Sequence, residues 1–110
     1  MVVLAASALG ADVSGTWTAS FDTQIGVQNY TYVFKADGAQ LTGKASSQNG
    51  ESEIQEGKVD GDKISFTENL VFQGMTIRIE YTGKLTGDEI RFTRKVGDFG
   101  TEELTAKRSK

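Results

Sequence analysis

The eleven residues Gly57 to Thr67, GKVDGDKISFT, recur 26 positions later as GKLTGDEIRFT from Gly83 to Thr93. Each copy sets a Gly-Asp pair between two runs in which apolar and polar residues alternate, the pattern of a β-hairpin closed by a tight turn. A looser copy, KADGAQL, spans Lys35 to Leu41. Between the two closer copies, ENLVFQGMTIRI reads as a further hairpin closing at Gln73-Gly74, with Leu70 opposite Ile77 and Phe66 opposite Tyr81. Upstream, Trp17, Ala19 and Phe21 alternate with Thr16, Thr18, Ser20 and Asp22, and the pattern continues through Tyr30, Tyr32, Phe34 and Ala36. A turn at Ile25-Gly26 places Phe21 opposite Tyr30 and Trp17 opposite Phe34. Downstream, the last two strands run from Glu89 to Val96 and from about Thr101 to Arg108, with Leu104, Ala106 and Arg108 inward. The weak point is the fourth strand, about Gly50 to Asp60, where Ile54 and Val59 have opposite parity. A bulge near Glu56-Gly57 restores a common face. The chain therefore reads as all-β, an eight-stranded antiparallel up-and-down β-barrel occupying residues 12–110.

Histidine and cysteine are both absent from the 110 residues. That removes imidazole and thiolate catalysis, disulfides and most zinc, copper and haem sites. Catalysis would fall to carboxylates, hydroxyls, Lys or Arg, and no motif arranges these, so neither an enzyme nor a cofactor is expected. The formal charge of -3, with both signs interspersed, offers no basic stripe for nucleic acid. Residues 1–11, MVVLAASALGA, are apolar and carry Ala6-Ser7-Ala8 in an A-x-A pattern. They read as the remnant of a secretory signal peptide, too short to span a bilayer, with an extra strand or helical turn as the alternative. A secreted or periplasmic location is expected.

Large inward residues are set against small ones: Phe34 against Gly43, Tyr32 against Ala45, Tyr30 against Ser47, Phe66 against Gly57 and Phe92 against Gly83. A narrow barrel is filled in this way. In a meander, alternate turns lie at opposite ends, so the turns at Gly38, Gly61 and Gly87 share one end with both termini. Trp17, Phe34, Phe66 and Phe92 plug that end. Tyr30, Tyr32, Ser47, Glu68, Tyr81 and Arg94 project toward the other, where Arg94 and Glu68 are ionisable groups on an otherwise apolar face. Such groups need a partner or access to water. Two readings follow: an internal Glu/Tyr/Arg network that closes the barrel, or a ligand site in its mouth, with the tyrosines offering flat faces to a sugar or lipid.

Other patterns are weaker. Asp60 with Asp62, and Asp98 with Glu102 and Glu103, lack a calcium-loop spacing and read as solvated turns. Asn29-Tyr30-Thr31 fits the glycosylation acceptor pattern. Glu68 to Gly74 resembles the recognition sequence of a potyviral protease, yet it continues the strand alternation and is read as strand.

The Gly15-Thr16-Trp17 opening, with Arg108 on the last strand, resembles the signature of the calycin barrels, the lipocalins and avidins. That resemblance implies a tryptophan packed at the closed end beneath an arginine. Ala36 to Ser52, ADGAQLTGKASSQNGES, is similar in style to streptavidin-type proteins, although biotin sites there are walled by several tryptophans and this chain has one. Over nearly the whole length from Asp12, GTWTASFDTQIGVQNYTY, YTGKLTGDEIRFTRKVGDF and ELTAKR resemble an uncharacterised small domain of secreted bacterial proteins, often attached to sugar-processing hydrolases. This resemblance implies an accessory or binding role near polysaccharide.

The expectation is a non-catalytic module that holds a small molecule or a glycan at the barrel's open end. The alternatives are a protein-interaction or structural module with a filled barrel, forming a homodimer or docking a partner through an outer face that includes Val33 and Val71, and a carboxylate hydrolase using Glu68.

Overall fold

A computed structural model describes residues 13–23, 26–48 and 50–109. The leader-like residues 1–11, and Ile25 and Asn49 of two expected turns, lie outside them. The strands are β1 (Gly15–Thr23), β2 (Gly26–Asp37), β3 (Gln40–Ser47), β4 (Gly50–Glu53), β5 (Gln55–Asp60), β6 (Lys63–Phe72), β7 (Met75–Thr86), β8 (Glu89–Val96) and β9 (Gly100–Arg108). β4 and β5 are halves of one strand interrupted at Ile54, and both lie along β3. The sheet thus closes as an eight-stranded antiparallel up-and-down barrel, sealed where β1 meets β9. Among the described residues no helix is long and apolar enough to cross a membrane.

The repeated turns set the registers. Asp37 pairs with Gln40, Asp60 with Lys63 and Thr86 with Glu89, and Gly38, Gly61 and Gly87 each take φ of 62 to 64° between them. Phe34 consequently faces Gly43, Tyr32 faces Ala45 and Phe92 faces Gly83. Leu70 faces Ile77, Phe66 faces Tyr81 and Tyr81 faces Arg94. The bulge is present as well: Lys58 pairs with Ser65 but Gln55 with Thr67, so Glu56 and Gly57 together oppose Phe66. Glu56 takes a φ of 54° to make the extra step. Ile54 and Val59 can then both face the core, Ile54 buried and Val59 partly so.

Two registers differ from expectation. In the first hairpin Thr23 pairs with Gly26, which slides β2 by two residues: Phe21 faces Gln28, Ala19 faces Tyr30, Trp17 faces Tyr32 and Gly15 faces Phe34. A two-residue slide keeps every side chain on its face, so alternation alone does not distinguish the two registers. The observed one gives Tyr30 and Phe34 small partners, whereas the expected one would set Trp17 against Phe34. The β2–β3 ladder runs from Asp37↔Gln40 to Thr31↔Ser46, short of the expected Tyr30 to Ser47 pair, and Ser47 pairs with Gly50 in β4.

The core is a column of rings. Phe21, Tyr30, Tyr32 and Phe34 stack along β1 and β2 at centroid spacings of 5.6, 5.3 and 5.7 Å. Phe66 and Tyr81 stack at 4.3 Å, with Phe92 edge-on to both. At the closed end Trp17 is fully buried, its Nε1 donates to the Val13 carbonyl at 2.9 Å, and the Arg108 guanidinium lies 4.4 Å from its ring centroid. Such a contact is worth ~0.5–2 kcal/mol. Arg108 also donates to the Ser14 carbonyl and to Asp88, and the Ser109 amide donates to the Thr16 carbonyl at 2.8 Å. The first and last strands are fastened together there.

Candidate functional site

Alternation along β2, β6, β7 and β8 delivers Tyr30, Tyr32, Glu68, Tyr81 and Arg94 into the barrel, each at most 3 % exposed. Tyr30 donates to Glu68 Oε2 and Tyr81 to Glu68 Oε1, both at 2.9 Å. Arg94 donates from Nε to the Tyr81 oxygen at 2.8 Å, from Nη2 to the Tyr30 oxygen at 3.0 Å and from Nη1 to Glu102 Oε1 at 2.5 Å. Because the Tyr81 proton is committed to Glu68, the 3.0 Å contact between the Tyr32 and Tyr81 hydroxyls has Tyr32 as donor. Arg94 and Glu68 approach no closer than 3.9 Å, so the two phenols are what join the ions. The guanidinium also lies 5.2 Å from the Phe21 and Tyr30 ring centroids. Among the described residues no buried side-chain polar atom lacks a hydrogen-bond partner.

Five of the six residues expected at the mouth therefore do come together, as a filled and satisfied network. Ser47 does not join it; it sits beside the turn into β4 and is partly exposed. As the expected closure at Gln73-Gly74 requires, β6 and β7 continue their ladder beyond Glu68 and Ile79, through Leu70↔Ile77 to Phe72↔Met75, so the five lie one layer below the rim. That extension raises a wall above the network.

Electrostatics follow from burial. Desolvation raises the Glu68 carboxyl above its ordinary range, and the hydrogen bonds from Tyr30 and Tyr81 and the Arg94 charge only partly oppose it. Burial, joined by the Glu68 charge, raises the Tyr30 phenol, and burial raises those of Tyr32 and Tyr81. All three remain protonated donors. For a carboxyl whose folded pKa lies above its unfolded one, folding takes up a proton between the two values. Its contribution to stability is therefore full below the ordinary value of 4.5 and is lost as pH rises through the folded value. In urea melts at about pH 4 and about pH 8, the stability of the wild type minus that of Glu68→Gln is expected to be smaller at the higher pH. A difference that does not change with pH would contradict this.

Above the network the barrel opens into a cup of about 530 Å³. Its floor is Arg94 and Glu102, and its walls are Leu70, Ile77 and Val96, topped by Met75 and Phe99. Asp22, Thr23 and Gln28 line the side formed by β1 and β2. Gln48 ties that side down, donating to the Val27 carbonyl at 2.8 Å and accepting from the Asn29 amide at 3.1 Å. Val27, Val71, Met75 and Phe99 are each about half exposed or more at this same end. An apolar wall over a charged but internally matched floor suits a small ligand with an apolar body and one polar end.

Of the expected site residues, only Arg94 lines the cup. Several of the others in the cup were within reach of the parity rule. Glu102 shares the inward parity of Leu104 and Ala106, Leu70 that of Phe66 and Glu68, and Val96 that of Phe92 and Arg94. Phe99 belongs to a turn, where alternation carries no signal.

Among the described residues no group of three or more His, Cys, Asp or Glu side chains is placed to hold a metal ion. The chain matches no family model, and it is significantly similar to no curated protein and no solved structure.

Proposed function

We propose that this chain is a non-catalytic binding module that holds a small, mainly apolar molecule in the cup at its open end. The observation that carries this reading is the cavity of about 530 Å³ walled by Leu70, Ile77 and Val96, within the usual size range of small-molecule sites. A glycan fits less well, because its many hydroxyls would meet aliphatic walls without partners. A hydrolytic role for Glu68 is disfavoured, since its carboxylate is 2 % exposed and accepts hydrogen bonds from two phenols. The resemblance to domains of secreted bacterial proteins agrees with an accessory role outside the cytoplasm.

The test uses N-phenyl-1-naphthylamine, an uncharged probe whose fluorescence rises in apolar surroundings. The wild type is expected to bind it saturably. Ile77→Trp, which fills the cup from its wall, is expected to weaken binding by roughly tenfold or more, the consequence of losing a fitted apolar contact. Val33→Ser, on the outer face where Val33 is 47 % exposed, should leave it unchanged. Equal binding by wild type and Ile77→Trp would remove the cup from consideration.

The exposed Val27, Val71, Met75 and Phe99 favour a second reading, in which the rim receives another copy of the chain. Absence of probe binding together with concentration-dependent sedimentation as a dimer would select it.

A further inference from the structure

The charges in the cup restrict the head group of whatever enters it. Three charged side chains line the cavity among the described residues: Asp22, Arg94 and Glu102. The one cation is already matched. Arg94 donates to Glu102 at 2.5 Å, and its other named bonds go to the two phenols that hold Glu68. At the floor Arg94 and Glu102 cancel one another, and Asp22 is exposed at the rim. A carboxylate or phosphate entering the cup would lose its water and find no unmatched cation, while standing close to Glu102. An ammonium would be pressed against Arg94.

An uncharged hydroxyl or amide meets neither penalty. Arg94 has five N–H donors, of which three bonds are accounted for by Tyr81, Tyr30 and Glu102. Glu102 is bonded to Arg94 through Oε1, lines the cavity, and has a side chain 17 % exposed. A group that both accepts and donates can therefore bridge the two floor residues. A carboxylate only accepts, and an ammonium only donates.

Resting on the reading of the cup as a ligand site, we propose that it selects an uncharged amphiphile, with a hydroxyl or primary amide head bridging Arg94 and Glu102 and an aliphatic or aromatic body against Leu70, Ile77 and Val96. Glu102 acts as the selectivity residue, because it neutralises Arg94 toward the cavity and accepts from the head.

Competition against bound N-phenyl-1-naphthylamine with four ligands of one tail length tests this: 1-octanol, octanamide, octanoate and octylammonium at neutral pH. Octanol and octanamide are expected to displace the probe at concentrations at least roughly tenfold below those of either ion, the scale set by an unmatched charge at short range. In Glu102→Gln the Arg94 charge is released toward the cavity, and octanoate is expected to improve by roughly tenfold or more and overtake octanol. An ordinary apolar cavity would rank the ligands similarly in the wild type but show no such reversal. If octanoate or octylammonium equals or surpasses octanol in the wild type, if none of the four displaces the probe, or if the order is unchanged in a folded Glu102→Gln, the proposal is overturned. Should that variant fail to fold, Asp22→Asn at the exposed rim decides: it should improve octanoate several-fold relative to octanol, and an unchanged ratio overturns the proposal. Failure of the probe itself to bind would instead overturn the ligand site on which the proposal rests.

Discussion

Replacing Arg94 with methionine is expected to cost about 3–5 kcal/mol of folding stability, the range for stranding one member of a buried ion pair. Methionine keeps most of the stem's volume, so packing against Phe21 and Tyr30 is largely retained. What disappears is the cation between Glu68 and Glu102, together with the donors to both phenols. Glu102 can turn to water, but Glu68 at 2 % exposure cannot. The loss is a large share of the ~5–15 kcal/mol that holds a domain of this size together. Urea unfolding followed by the fluorescence of Trp17, the single tryptophan, reads it directly. Pairing Arg94→Met with Glu68→Met should recover most of the loss, because replacing both ions with apolar groups is often neutral or better. A double variant no more stable than the single one would assign the loss to packing and not to the abandoned carboxylate.

Gly43→Ala is expected to be nearly as damaging, at about 3–5 kcal/mol, from overpacking and backbone strain together. Gly43 lies at φ +152°, and a Cβ there would stand 1.9 Å from the Val33 carbonyl oxygen, with the Phe34 Cα also at 3.1 Å. Backbone atoms of a paired strand cannot give way without breaking the β2–β3 ladder. Gly83→Ala is the informative contrast. Its Cβ would meet the Phe92 ring, with Cδ1 at 2.5 Å, and the Arg91 carbonyl oxygen at 2.9 Å; the ring can tilt, and that carbonyl needs to give far less than the Val33 carbonyl at 1.9 Å from a Cβ on Gly43. That substitution should cost about 1–3 kcal/mol. Equal losses in the two variants would show that filling the space beside a large ring matters more than the close strand approach at Gly43.

These two sites also mark how far the amino-acid order could be read. The Phe34/Gly43 and Phe92/Gly83 pairs, the bulge at Glu56-Gly57 and the convergence of Glu68, Tyr81 and Arg94 all follow from strand alternation plus a turn repeated at fixed positions. Where a turn was less well marked, as between Thr23 and Gly26, the register slid by two residues without disturbing any face. The Gln73-Gly74 closure and the Leu70/Ile77 pair beyond the polar cluster were also legible, but not that they would wall a cup. Alternation says which way a side chain points and nothing about how far a hairpin rises past its neighbours. The walls of the cup depend on the length of β6 and β7, and Phe99 on the conformation of a turn. Glu102 is legible by parity, but from the sequence it reads as one of several acids in a solvated turn. Its part is defined only once β8 and β9 set it opposite Arg94.

The bond from Ser109 to Thr16, with Arg108 clasping Ser14, brings the chain in and out of the ring at the pole farthest from the cup. Val13 and Ser109, the two ends of the described chain, thus sit side by side, a barrel's height from the aperture.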